Sequence, residues 1–518
     1  SSAGSFSADT ESGESFSSGT WSISSVSVAT ANTALASLTY TPSENYDKDA
    51  SATITVEDAD GLTLTDTIVL DVVPENEVPS ATNTDQTISF TEDATSAPFT
   101  SIVISENDSI QASTDTTTAS DETTAETVSV SIVLSDSSAG SLSTNSGNGE
   151  SFSSGTWSIS GVSVSVANDA LAALFYVPTA NYDVDANATI TVEDADGLSI
   201  SDTIILDVVP VNETPSATEM DQTLSFAEDS SDNALTAIVI SEVDTIQAST
   251  DSTTAIDDAT SETVTVTITL SDTSAGTFST GTGSGESFSS GVWSISDVSV
   301  STANTALADV KYTPAANYDL DATATVVVTD ADGESTSDSI TLDLSPTNEN
   351  PILSNLDQTV SFTEDDSLAD ITDIVITEVD TIQESTDTEV GNDDVSSETV
   401  SITVTLSDAN AGTLSTGGGS VYTESTGEWY LAATSVTDAN TALSQMDFTP
   451  ASNYDLDATA SVVVTDADGL TATGTLTFDV TPVNDTPSAS QITHTVTYTE
   501  DDSSVELTDI VITEVDRI

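Results

Sequence analysis

Trp21, Trp157, Trp293 and Trp429 stand 136 residues apart, and so do Gly4, Gly140, Gly276 and Gly412. A fixed period of self-similarity means that one structural unit is being repeated, so the chain is an array and not a single large fold. Each period carries the same mark: Asp-Ala-Asp-Gly, a short apolar run, then an Asn-acid pair flanked by prolines. It first appears as Asp58-Ala59-Asp60-Gly61 leading to Pro74-Glu75-Asn76-Glu77-Val78-Pro79, and it returns at 194–215, 330–351 and 466–487.

Composition matters here because the mark is acidic and so is everything around it. The 518 residues hold 88 Asp and Glu against three Lys and Arg, a formal net charge of −85. Such a chain repels nucleic-acid phosphates and anionic membrane surfaces, which removes both as partners. Hydrophobic residues still make up 36% and fall in strand patterns, so a folded acidic chain is expected, not a disordered one. Self-repulsion on this scale opposes compaction unless something screens or binds it. High ambient salt is one remedy, and stoichiometric binding of a hard divalent cation is the other. The absence of cysteine excludes a disulfide scaffold and thiolate metal sites. No apolar run is long enough to span a bilayer, so no direct membrane insertion is expected of this segment. Ser1-Ser2-Ala3-Gly4 matches 137–140, and the last residues match positions where earlier copies continue, so the chain reads as part of something longer.

Within one unit, for example 216–351, Gln222-Thr223-Leu224-Ser225-Phe226 alternates and is followed by Ala227-Glu228-Asp229. A second run, 237–240, leads to the acidic Glu242-Val243-Asp244. The Ser/Thr/Asp-rich stretch 247–261 reads as a solvated loop. Val264–Leu270 then alternates without a fault, the period of a half-buried strand. The spacing of Leu307 and Val310 predicts one helical turn. Asn317-Tyr318-Asp319, a strand at 324–329 and a closing strand at 339–344 complete the unit. About seven or eight short strands with turn signals between them predict an all-β fold, a linear array of antiparallel Greek-key β-sandwich domains. The expected divisions are a partial repeat 1–79, repeats 80–215, 216–351 and 352–487, and a partial repeat 488–518.

This order of strand, Thr-Glu-Asp, strand, acid-x-Asp, Asp-x-Asp, Asp-x-x-Gly and closing Asn-acid-x-Pro resembles the cadherin repeat. The Ala-Leu-x-x-Leu-x-Tyr-Thr-Pro run followed by Asn-Tyr, with Val-Asn-Asp-x-Pro at the end, is similar to the cadherin-like tandem repeats of giant, RTX-type bacterial surface adhesins. The resemblance implies calcium ions held between consecutive repeats by acids from both sides and from the linker. Calcium takes about six to eight oxygen ligands, which explains why acids would gather there.

For the joint after Pro351 the resemblance nominates Glu228, Asp319, Asp321, Asn348, Glu349, Glu378, Asp380 and Asp466. After Pro215 the set is Glu92, Asp183, Asp185, Asn212, Glu213, Glu242, Asp244 and Asp330. After Pro79 it is Asp47, Asp49, Asn76, Glu77, Glu106, Asp108 and Asp194. After Pro487 it is Glu364, Asp455, Asp457, Asn484, Asp485, Glu514 and Asp516. Pro74, Pro210, Pro346 and Pro482 stand where a cadherin linker begins with aspartate, and its closing asparagine survives only as Asn350. Fewer linker ligands imply one or two ions at each joint.

Other chemistries find little in the sequence. Asp-Ala-Asp-Gly is also a turn composition, but acids recurring in register at four expected domain ends need more than turns. Val56 and Thr67 occupy positions where an EF-hand loop needs acids. His494 occurs in one unit only, so no triad or zinc site assembles, and no enzyme is expected. Lys48 and Lys311 take different places in their units, against self-formed Lys–Asn cross-links. The expected function is the extender or adhesion segment of a large extracellular protein, cell-surface or secreted, stiffened by calcium. Its partners are calcium ions and neighbouring repeats of the same longer chain. The alternative is a subunit of a self-assembling filament, sheath or surface layer built from other copies of itself.

Overall fold

Alternation of apolar and small polar residues makes the sheets. In the computed structural model the run Val128–Leu134 buries Val128, Val130, Ile132 and Leu134 and turns its serines outward, as the two-residue period of a strand requires. The structure describes residues 2–9, 12–116, 124–252, 260–281, 285–388, 396–514 and 516. The loops expected at 114–124 and 247–261 therefore lie in part outside the described residues, as do Ser1, Arg517 and Ile518. What is described of these loops includes the short 3-10 turns Ala112–Thr114 and Ala248–Thr250. By contacts the chain falls into two compact units. One is Ser1–Thr214 with Glu242–Thr263 and Asp330–Glu334; the other is Pro215–Ser241 with Val264–Thr329 and Ser335–Ile518.

The first unit holds a complete sandwich. Its strands are β1 (Ser80–Thr82), β2 (Thr87–Thr91), β3 (Ala97–Pro98), β4 (Val103–Ser105), β5 (Val128–Leu134), β6 (Gly140–Leu142), β7 (Ser151–Ser153) and β8 (Thr156–Val162). After the helix α1 (Val164–Ala172) come β9 (Phe175–Pro178), β10 (Ala186–Asp194) and β11 (Ser199–Val209). One sheet runs β7-β8-β5-β10-β11-β2, a second β6-β9-β3, and β4 pairs with β1. Pairing is antiparallel except between β2 and β11, which run parallel with Ile88 opposite Leu206. Inward residues of all these strands join one core around Trp157. In the same unit the hairpin Ala50–Glu57 with Thr63–Leu70 keeps the pairing of β10 and β11. Its apolar residues stay exposed, Leu64 at 72%.

The second unit repeats the large sheet twice. One copy orders Gln222–Ala227, Ser335–Ser345, Ala322–Asp330, Val264–Leu270, Val292–Val298 and Ser287–Ser289. The other orders Thr359–Thr363, Thr471–Thr481, Ala458–Asp466, Val400–Leu406, Glu428–Thr434 and Val421–Thr423. Each has its own core, around Trp293 and Trp429. The fold class is thus tandem β-sandwiches.

The recurring glycine is required by close approach. A Cβ on Gly140 would sit 2.4 Å from the Val177 carbonyl oxygen and 2.6 Å from the Tyr176 hydroxyl. The single helical turn expected from the leucine spacing is a longer element: α1 has nine residues and its counterparts Val300–Asp309 and Val436–Leu443 ten and eight. Ser163, Ser299 and Ser435 cap it by accepting from the backbone three residues on, which satisfies one free N–H. Its apolar stripe is Ala167, Ala170 and Leu171, and the leucine spacing marks only the last of these. From α1, Asn168 accepts from the Ile104 N–H at 2.8 Å and donates to the Ile104 carbonyl at 3.0 Å. Asn304 and Asn440 do the same to Ile240 and Ile376. No helix among the described residues is long and apolar enough to cross a membrane.

Candidate metal centre

The acids of the mark are delivered by the strand registers themselves. Along β10 the inward positions are Ala186, Ala188, Ile190 and Val192, and the next inward position is Asp194, only 3% exposed. Asp330 and Asp466 end their strands in the same way. An apolar register thus terminates in a buried carboxylate. At the other end of the sandwich β2 runs into Glu92, whose N–H bonds the Val209 carbonyl and continues the parallel ladder. The following Asp93 accepts from the Asn181 N–H at 2.9 Å and so fixes the turn that carries Asp183 and Asp185.

At the joint after Pro215, one carboxylate oxygen from each of Glu92, Glu213 and Asp244 lies within 4.8 Å of the others. Glu92 accepts from the Val211 N–H at 3.2 Å through Oε2, and its buried Oε1 has no partner. Glu213 Oε2, Asp244 Oδ1, Glu242 Oε2 and Asn212 Oδ1 are likewise buried without one. The Asn212 amide donates to Asp330 at 3.4 Å, and the Glu213 N–H donates to Asp244 at 2.8 Å. Burial, with the negative charges of Asp183, Asp244 and Asp93, holds the Glu92 carboxyl up at about 7 against a backbone hydrogen bond that lowers it. A hydrogen bond that the protonated Glu213 carboxyl donates to the Asp244 carboxylate, then burial and nearby acids, holds Glu213 at about 8. Burial also raises Glu242.

The joint after Pro351 is built alike. Glu228, Asp229 and Glu349 each offer an oxygen within 4.8 Å of the others. Glu349 is held at about 8 by burial, the Asp380 hydrogen bond and neighbouring acids. Burial above all holds Glu378 at about 7. Glu349 Oε2, Glu378 Oε2, Asn348 Oδ1 and Asp466 Oδ2 are buried without hydrogen-bond partners. After Pro79, Glu106 Oε2, Asn76 Oδ1 and Asp194 Oδ2 are in that state. There the Asp108 hydrogen bond, followed by burial, holds Glu77 at about 7. After Pro487, Glu364 Oε1 is buried without a partner, while Asp485 receives its N–H bond partner in Asp516 at 3.0 Å.

Other nominated acids are engaged with the backbone. Both oxygens of Asp183 are used: Oδ2 accepts from the N–H groups of Thr245 (2.6 Å) and Ile246 (2.9 Å), and Oδ1 from the Thr245 hydroxyl (2.7 Å). Asp319 does the same to Thr381 and Ile382, and Asp47 accepts from Ser109. Asp49, Asp185, Asp321 and Asp457 accept from the N–H of Val72, Val208, Leu344 and Val480 on the closing strand side. Asp455 is 4% exposed; Glu514 is exposed.

Glu126, Glu262 and Glu398 were not singled out by the sequence, yet each is at least nine-tenths buried beside the Asp-Ala-Asp-Gly turn. The signal was available: the alternation of Val128–Leu134 extends two residues back to Glu126. The second aspartates of the marks, Asp196, Asp332 and Asp468, belong with them.

Oxygen-only donor sets, several with buried unsatisfied atoms, fit a hard cation of the calcium class and no thiophilic metal. An uncompensated cluster of buried carboxylates is otherwise costly, and the three basic residues of the chain cannot neutralise it.

Solved structures similar to the chain are cadherin ectodomains. They include the protocadherin GammaB4 extracellular domain, at 14% identity and a TM-score of 0.32, covering 86% of this chain and 57% of that one. The protocadherin gammaB7 EC3-6 cis-dimer gives 15% and 0.32, covering 92% and 94%, and mouse cadherin-23 EC22-24 gives 11% and 0.30, covering 79% and 100%. The chain spans 57% of the first of these structures. No protein-family model matches the sequence, and neither does any curated protein.

Proposed function

We propose that this chain is an extender or adhesion segment of a large extracellular surface protein, and that calcium at the joints makes it stiff. The observation that carries the proposal is the recurrence, joint after joint, of buried carboxylate oxygens without partners on both sides of the linker: Glu92, Glu213, Glu242 and Asp244 in one joint, with Glu349 and Glu378 in the next. In this proposal Glu92, Glu213, Glu242, Asp244, Asp330 and the Asn212 carbonyl hold the ion. Asp183 and Asp185 position the backbone around it. A cation removes the repulsion that otherwise drives the two sides apart, and its binding free energy fixes the angle between consecutive sandwiches. The motif resemblance supports a place among giant bacterial adhesins, with neighbouring repeats of the same chain as the nearest partners and no catalytic role.

Extracellular modules commonly bind calcium at roughly 10⁻⁴–10⁻³ M, so the joints would fill outside the cell. Small-angle scattering and electron microscopy with calcium and with chelator test the reading. The expected result is a narrow distribution of dimensions with calcium and a broad one without it. The same distribution in both conditions overturns it. The filament reading keeps one observation of its own: Val103, Val239 and Val375 recur exposed at the 136-residue step, and a polymer would bury them. Fibres appearing on addition of calcium would favour that reading over the extender.

A further inference from the structure

A second set of carboxylates, closed within a single sandwich, stands beside each complete joint. Val128 of β5 faces Asp194 of β10 in the sheet register, so two residues further along Glu126 falls opposite Asp196. The same register sets Val400 against Asp466, with Glu398 opposite Asp468. The inward face of the sheet therefore ends in Asp194, with Glu126 two residues ahead of β5 and Asp196 in the turn after β10. Each uses one oxygen to hold the turn. Glu126 Oε1 accepts from Ala195 (2.8 Å) and Thr127 (3.1 Å), Asp194 Oδ1 from Gly197 (2.7 Å) and Leu198 (2.9 Å), and Asp196 Oδ1 from Ser113 (3.2 Å). The other oxygen of each, Glu126 Oε2, Asp194 Oδ2 and Asp196 Oδ2, is buried without a partner.

The pattern repeats. Glu398 Oε2, Asp466 Oδ2 and Asp468 Oδ2 are buried without partners, and so are Glu262 Oε2 and Asp332 Oδ2. In that middle copy Asp330 Oδ2 accepts from Asn212 instead. Glu126, Glu262 and Glu398 are 8%, 8% and 7% exposed, so water does not supply what the protein withholds. Turn formation explains one oxygen per carboxylate and leaves the second unexplained. A hard cation explains it, because hard divalent ions are held by carboxylate oxygens with carbonyls and water filling the remaining positions.

We propose that Glu126, Asp194 and Asp196, with their copies at Glu262, Asp330, Asp332 and Glu398, Asp466, Asp468, form a second divalent-cation site. Asp194 is shared with the joint. The ion in this site would lock the Asp-Ala-Asp-Gly turn onto its own sandwich, whether or not the joint is filled.

The test counts calcium bound by the whole chain, by equilibrium dialysis after removal of bound metal. In the triple variant E126Q/E262Q/E398Q the number of bound ions is expected to fall by three, one for each glutamate replaced, with the fluorescence of the buried tryptophans unchanged. An unchanged count overturns the proposal, including the case where affinity alone drops, since the glutamates would then serve the joint ion from behind. The joint variant E92Q/E228Q is measured in parallel and should keep these three ions while losing others. If it keeps the wild-type count, the joint reading fails and the second site stands by itself. Should the triple variant not fold, E262Q alone is expected to lose one ion, and an unchanged count in it overturns the proposal equally.

Discussion

At Asn212-Glu213 and at Asn484-Asp485 the same linker pattern meets different surroundings. Behind each stands a buried glutamate, Glu92 or Glu364, with an Oε1 that has no partner. Ahead of the first stand Glu242, Asp244 and Asp330; Asn212 is half-buried and Pro215 buried. Ahead of the second stand Glu514, which is exposed, and Asp516, which accepts from the Asp485 N–H at 3.0 Å; Asn484 and Pro487 are exposed. The trailing end of a sandwich thus builds its half of the site alone. Like charge crowds against Glu92, where buried Asp244 and Asp330 stand ahead of it, whereas the acid ahead of Glu364, Glu514, is exposed.

Chelation should produce the largest effect. With free calcium a hundredfold above Kd, each filled site adds about 2.7 kcal/mol to stability by mass action, so the calorimetric Tm is expected to drop sharply when calcium is removed. An unmoved Tm would break the comparison at its root. Glutamine at single trailing-end glutamates sharpens it. E92Q and E228Q should each weaken calcium binding at their joint by roughly tenfold or more, as loss of even an outer-shell partner does at metal sites. E364Q should weaken binding less than E92Q does, because Glu514 ahead of it is exposed while Glu242 and Asp244 ahead of Glu92 contribute buried oxygens.

The pH dependence comes next, and its sign depends on the ion. Without calcium, Glu92 and Glu378 titrate at about 7 and Glu213 and Glu349 at about 8 in the folded chain, above an unfolded glutamate at about 4.3. The folded state then binds more protons between these values, so stability falls as pH rises from about 5 to 8. With saturating calcium the carboxylates are held ionised, and stability should instead fall on acidification. Chemical denaturation across this range, with and without chelator, reads both slopes. D183N should have the smallest effect. It weakens charge-assisted bonds to Thr245 and Ile246, for about 1–3 kcal/mol at most, and should leave the number of bound ions unaltered.

Much of this was legible in the residues. The period located the marks, and the alternation of Val264–Leu270 and its copies gave strands with the observed limits. The nominated Glu92, Glu213, Glu242 and Asp244 are brought to one joint. The helix was underestimated because its buried face is mostly alanine, and alanine is a poor marker of burial in a chain this rich in small residues. Glu126, Glu262 and Glu398 escaped because strand pairing, which alternation alone does not disclose, sets them opposite the second aspartate of the mark. The role of Asp93 was hidden too: it takes a left-handed backbone at φ 59° in the turn after β2 and accepts from the Asn181 N–H.

The asparagine of the helix has a consequence for the whole array. Neighbouring repeats of similar sequence offer each other matching strands, so an open sheet edge invites exchange of strands between repeats and tangled chains. By binding both the N–H and the carbonyl of Ile104, Asn168 occupies the hydrogen-bonding groups that an intruding strand would seize. Asn304 and Asn440 guard the same edge in the next two copies. One carboxamide per repeat thus helps each domain to fold with itself in the presence of its similar neighbours.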